Sequence, residues 1–216
     1  MKLRLLLCCV FAGCVLLFSA AAWADGITVQ NASFETANMW TNTCGTGCSF
    51  NYGSMPGWTV IGNAGSFQPN STYFNLPLPN GSIVAFSNGG SISQDLGVTL
   101  LPDSIYTLSV FVGDRLDMRN TTYSIALMAG STALCTFSGA NAAIGAGSFA
   151  DETCSYTSGA TVPSGDLSIV LTSAGTQTDF DNVSLNAVTS VPEPTSMALL
   201  AAGLLCAGLL SRCLKA

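Results

Sequence analysis

A chain of 216 residues with 49% apolar and 8% charged residues, a net charge of −6 and no histidine suits one domain of ordinary size and excludes histidine-based catalysis and histidine metal sites. Between Asp25 and Ser190 eleven acids face two arginines, Arg115 and Arg119, and no lysine, a net charge of −9. Neutralising a phosphate backbone needs many basic groups, so the composition argues against nucleic acid and anionic lipid surfaces as partners. Val, Ile, Leu and Phe recur throughout, which marks a folding domain rather than a disordered one.

In chain order, Met1–Arg4 is positively charged, Leu5–Phe18 is apolar, and Ala22-Trp23-Ala24 has the small-x-small form of a cleavage site. Residues 1–24 therefore read as a secretory signal peptide, with signal peptidase as the processing partner. A domain over 25–188 follows. No part of it sustains a 3.6-residue apolar period; short alternating runs are broken by Gly, Asn, Ser and Pro. Strands are expected at Ile27–Phe34, Gly57–Ile61, Ser82–Phe86, Ser91–Leu96, Ile105–Val112, Tyr123–Met128, Ala133–Phe137, Phe149–Tyr156, Leu167–Thr172 and Phe180–Leu185. Ala37–Pro56 and Gly65–Leu78 read as loops. Asn88-Gly89-Gly90 is a strong turn signal. In Ile105–Val112 the residues Tyr106, Leu108, Val110 and Val112 share one face. Trp58 and Tyr106 are expected in the core. About ten short strands at this spacing predict an all-β sandwich.

Nine cysteines divide by region, and Cys44, Cys48, Cys135 and Cys154 fall in the domain. In an exported chain, disulfides Cys44–Cys48 and Cys135–Cys154 are the preferred reading, since each pair encloses a glycine-rich turn. The second would contribute roughly 3 kcal/mol in the chain-entropy model. A four-thiolate zinc site is the alternative, disfavoured by an oxidising compartment. Trp40, Tyr52 and Tyr73 lie in long loops, where aromatic faces can stack on sugar rings or cover one end of the core. Arg115 sits in Gly113–Asn120 among Asp114 and Asp117, either touching a sugar or forming a self-neutralised exposed loop.

The last segment, 191–216, has three parts: Val191-Pro192-Glu193-Pro194 with Thr195 and Ser196, an uncharged apolar helix over 197–211, and a basic tip over 212–216. Alternate prolines keep the motif extended. The helix is marginal in length for a bilayer, and the basic tip places it on the cytoplasmic side. This order resembles the PEP-CTERM sorting signal of Gram-negative bacteria. The resemblance implies an exosortase as partner, a transient inner-membrane intermediate, and delivery to the cell surface or an exopolysaccharide matrix.

A second resemblance rests on Val29-Gln30-Asn31-Ala32-Ser33-Phe34-Glu35, on Gly81–Phe86 with Ile92–Leu96, on Tyr106–Arg115 and on Phe180-Asp181-Asn182-Val183-Ser184-Leu185. Together these are similar to the galactose-binding-like jelly roll of many carbohydrate-binding modules. The resemblance implies that the first and last strands meet. It also implies a structural calcium ion held by Glu35 and Asp181, with Asp179 as a further ligand. Turn hydrogen bonding by the same side chains is the simpler alternative. The expectation from sequence is thus an exported, non-enzymatic jelly roll that binds glycans through Trp40, Tyr52, Tyr73 and Arg115. A purely structural matrix component without a discrete ligand is the alternative. A glycan-active hydrolase is a third reading, which acid pairs such as Asp114 and Asp117 could serve in principle, though nothing in the sequence raises one of their pKa values.

Overall fold

The computed structural model describes residues 24–118, 121–189 and 203. The sorting motif Val191, Pro192, Glu193 and Pro194, the apolar helix apart from Gly203, the signal peptide before Ala24, and Arg119 lie outside the described residues.

Thirteen strands follow one another: β1 (Ala24–Ile27), β2 (Asn42–Gly45), β3 (Cys48–Tyr52), β4 (Thr59–Ile61), β5 (Ala64–Gln68), β6 (Val84–Ser87), β7 (Ser91–Thr99), β8 (Ser104–Asp114), β9 (Thr122–Ala129), β10 (Thr132–Ala140), β11 (Ser148–Thr157), β12 (Asp166–Ala174) and β13 (Thr178–Thr189). They form two antiparallel sheets. The larger runs β11-β8-β13-β6-β5-β3-β2, with β1 added to β13; the smaller runs β10-β9-β12-β7-β4. The chain is all-β, and the two sheets make the expected jelly-roll sandwich.

The core lies between the sheets because alternation along the long strands sends one apolar set inward. Tyr106, Leu108, Val110 and Val112 of β8 pack with Phe180, Val183 and Leu185 of β13. From the smaller sheet they meet Ile125, Leu127, Leu167, Ile169 and Leu171. Burying each large apolar side chain contributes about 1.5–3 kcal/mol. Trp58 is buried beside Phe34, ring centroids 5.1 Å apart. Phe180 and Val183 both face inward although three residues apart. The register of β13 against β8 shifts between Asp181 and Ser184, and Asn182 takes a positive φ of 45°. That bulge absorbs the extra residue.

Three element expectations are corrected. The first strand ends at Ile27, not Phe34, since Asn31 (φ 47°) and Phe34 (φ 58°) turn the chain. Gly65–Leu78 is not all loop, because Ala64–Gln68 is β5, paired with β3 and β6. Gly65 lets β5 lie flat on β3, where an added Cβ would meet the Asn51 backbone. Within the expected 37–56 loop, β2 and β3 form a hairpin.

Both disulfides form, with Cα–Cα separations of 5.1 Å for Cys44–Cys48 and 5.8 Å for Cys135–Cys154. The first closes the β2–β3 hairpin. The second joins β10 to β11, the edge strands of the two different sheets.

Candidate active site

The outer face of the larger sheet carries a second apolar cluster: Cys48, Phe67, Phe74, Leu78, Val84 and Phe86, with Phe50, Tyr73 and Phe149 against it. Directly opposed residues of paired strands point to the same side. One row therefore crosses this face as Phe149, Gly113, Asp179, Phe86, Gly65 and Tyr52. Asp179 is flanked by a glycine and a phenylalanine. Gly113 is needed there, since a Cβ would run into the rings of Phe149 and Phe74.

Beside this row opens a pocket of about 180 Å³. Its walls are Phe50, Tyr52, Phe67, Tyr73 and Phe86, and its polar lining is Asn88, Arg115 and Gln177, with Cys44 at the margin. The rings meet edge to face: Phe50 on Tyr52 at 5.5 Å, Tyr52 on Phe86 at 5.4 Å, and Phe67 on Tyr73 at 5.4 Å. The Tyr73 hydroxyl donates to the Cys44 carbonyl at 3.3 Å, tying the wall to the disulfide hairpin.

Arg115 is buried and not on an exposed loop. Its guanidinium lies 4.5 Å from the Tyr73 ring centroid and 5.4 Å from that of Phe67. It donates twice to Asp117, at 2.9 and 2.8 Å. A further N–H goes to Gln177 Oε1. Gln177 Nε2 in turn donates to Asp179 Oδ1 at 3.0 Å. The fixed polarity of this chain settles the Gln177 amide: oxygen to the arginine, nitrogen to the acid.

Asp179 is fully buried, and its Oδ2 has no hydrogen-bond partner among the described residues. Burial pushes its carboxyl up to about 7, against the opposing pull of the Gln177 hydrogen bond and the Arg115 charge. An acid in that range can hold a proton at neutral pH and release it.

Asp181 lies on the same face but in other company. It accepts from the backbone N–H of Asn80 at 2.9 Å and of Asn182 at 2.7 Å. Burial again raises its carboxyl to about 7, opposed by those N–H groups, with the Glu35 charge adding to the rise. Glu35 accepts from the N–H groups of Ser82 and Ile83, at 2.8 and 2.7 Å, and so clamps the same loop. Asp179 keeps company with Gln177 and Arg115. No three His, Cys, Asp or Glu side chains among the described residues gather as a metal cluster. Calcium takes six to eight oxygens, from carboxylates and backbone carbonyls; of the three expected ligands, Glu35 and Asp181 meet at the 80–83 loop, while Asp179 bonds to Gln177.

Of the expected ligand-binding residues, Tyr52, Tyr73 and Arg115 come together in the pocket. Trp40 is half-buried on its loop and is not in the lining. Phe50, Phe67, Phe86, Asn88 and Gln177 were not legible as site residues, and Asp179 was legible only as a calcium ligand, not as an acid of this pocket. The one available signal was Asp179-Phe180-Asp181, where a core phenylalanine sends both acids to the opposite face.

Residues 25–186 match the HpiC1-like family, described as HpiC1 cyclase. The chain belongs to this cyclase family. Residues 190–212 match the PEP-CTERM protein-sorting motif, which implies export and membrane-associated processing by an exosortase in a Gram-negative bacterium. Among solved structures the HpiC1-like domain is similar to the Stig cyclase Fisc from Fischerella sp. TAU, crystallised with (3Z)-3-(1-methyl-2-pyrrolidinylidene)-3H-indole. Identity is 25% and the TM-score 0.64, covering 78% of this chain and 100% of that one. A second cyclase structure from Fischerella sp. TAU gives the same figures. The CBM22-1 xylan-binding domain of Paenibacillus barcinonensis Xyn10C is 13% identical with a TM-score of 0.45, over 80% of this chain and 100% of that one; no binding is inferred from it. No curated protein matches the chain.

Family membership corrects the expectation of a non-enzymatic protein. That expectation rested on missing histidine and on carboxylates with nothing in the sequence to raise their pKa. The HpiC1-like domain raises two, Asp179 and Asp181, by burying them, Asp179 against glycine and phenylalanine.

Proposed function

We propose that the protein is an exported cyclase that closes a ring in a small, neutral aromatic substrate by proton transfer. The observation that carries this reading is Asp179: a buried carboxyl raised to about 7, one hydrogen bond behind the wall of an aromatic pocket. Asp179 supplies a proton from Oδ2, through a parting of the pocket wall in front of it, to an electron-rich double bond. The resulting carbocation is stabilised by the faces of Tyr52, Tyr73 and Phe86. A nucleophilic carbon of the same molecule closes the ring, and the carboxylate takes back a proton, so the reaction is a net isomerisation. Arg115 and Gln177 hold Oδ1 and orient the acid. The indole bound by the Fischerella cyclase supports an indole-like substrate here. After exosortase processing, the proposed place of action is the cell surface or its surrounding matrix.

The test is Asp179→Asn, which keeps size and hydrogen bonding but removes the proton. Turnover of an indole bearing an unsaturated side chain is expected to fall at least ~100-fold, with substrate affinity unchanged. Full turnover in the variant would remove Asp179 from the mechanism.

A further inference from the structure

The Asn88-Gly89-Gly90 turn between β6 and β7 is bonded on every side. Asn88 N–H donates to the Asn63 carbonyl at 2.7 Å. Gly89 N–H donates to Ser173 Oγ at 3.1 Å and Gly90 N–H to Ser87 Oγ at 3.0 Å. The Ser173 hydroxyl bonds the Ser87 carbonyl at 2.8 Å. Gly89 accepts the tight geometry with φ 81°. The turn therefore holds the Asn88 side chain at a fixed place in the pocket lining.

Against this background an atom of a pocket-lining residue is left over. Asn88 Oδ1 is buried and has no hydrogen-bond partner among the described residues. Buried polar atoms are paired in the great majority of cases, and an exception calls for a partner that arrives later. The neighbouring polar groups already have theirs: the Tyr73 hydroxyl has Cys44, and Gln177 has Arg115 and Asp179. Arg115 donates two hydrogen bonds to the Asp117 carboxylate, which meets its charge. The pocket thus combines aromatic walls, a buried unpaired acceptor and a cation that is already neutralised.

We infer that Asn88 is a specificity residue: its Oδ1 accepts a hydrogen bond from an N–H or O–H on a neutral aromatic ring, and anionic rings are refused because Asp117 already satisfies Arg115. This rests on the reading of the pocket as the substrate site, but not on the identity of the acid.

The experiment compares binding of indole, 1-methylindole and indole-3-carboxylate to the purified protein by calorimetry or NMR. Indole is expected to bind roughly five- to tenfold more tightly than 1-methylindole, the scale of one hydrogen bond, and indole-3-carboxylate most weakly. In Asn88→Leu, and in Asn88→Ala should the first fail to fold, indole and 1-methylindole are expected to bind alike. Equal binding to the unmodified protein, a methyl effect that survives in the variants, or preferred binding of the carboxylate overturns the inference. If none of the rings binds, the pocket's role as substrate site falls with it. Binding of all the rings with no methyl effect in the unmodified protein removes only Asn88 and leaves the Asp179 test standing.

Discussion

The two faces of the larger sheet are built from the same strands and read oppositely. The inner face is apolar over its centre, with Leu108, Val110 and Val112 on β8 and Phe180 and Leu185 on β13, and turns polar only towards one edge, at Ser66 and Asn51. The outer face sets Asp179 and Asp181 among Phe86, Phe149 and Phe67, with Arg115 and Gln177 beside them. Inside, the central side chains are held by packing, and Asn51 at the edge by its hydrogen bonds. Outside, carboxyls are held in apolar surroundings that penalise their charged form. The difference separates stability from chemistry: one face holds the fold together, and the other stores an acid at the cost of some of that stability.

The comparison is broken most sharply at the inner face. Leu108→Ala should cost about 2–5 kcal/mol of unfolding free energy, read by denaturant titration. The folded fraction should keep its affinity for indole. A variant that stays stable but loses ligand binding would show that the two faces are not separable.

pH sharpens it next. The Asp179 carboxyl is raised from 3.8 to about 7 in the folded chain, and that of Asp181 likewise. The native state therefore binds these protons more tightly than the unfolded one, and stability falls as pH rises from about 4 through about 7. The thermal midpoint is expected to be lower at pH 8 than at pH 5. Asp179→Asn should remove part of that fall and be more stable than the unmodified protein at pH 8. A midpoint that climbs across this range would contradict the burial of both acids.

The smallest effect on stability belongs to the rim. Tyr52 is 56% exposed, so Tyr52→Ala should shift the unfolding free energy by no more than about 0.5 kcal/mol. It also forms a pocket wall, and indole affinity should drop severalfold. A large loss of stability would assign Tyr52 to the fold instead.

Alternation made the sandwich legible where it was undiluted, as in Ile105–Val112, and cysteine spacing made both disulfides legible. It failed at Ala64–Gln68, where Gly65 and Ser66 blur the pattern, and at Asn31 and Phe34, whose left-handed backbone ends the strand. The site was legible only in pieces. Tyr52, Tyr73 and Arg115 could be singled out as chemistry-bearing residues. Asp179 could be singled out only as a calcium ligand, because its acidity depends on register: β13 between β8 and β6 sets it beside Gly113 and Phe86, which are far away in sequence. Asn88 was legible as a turn residue but not as a recognition group, since an unpaired atom exists only by contrast with paired neighbours.

The Cys135–Cys154 bond stitches β10 to β11, and so binds the two sheets along a single margin, as a spine binds the covers of a book. The pocket lies towards the other margin, over β2, β3, β5 and β6. The aromatic walls thus stand on strands that no disulfide among the described residues ties to the opposite sheet.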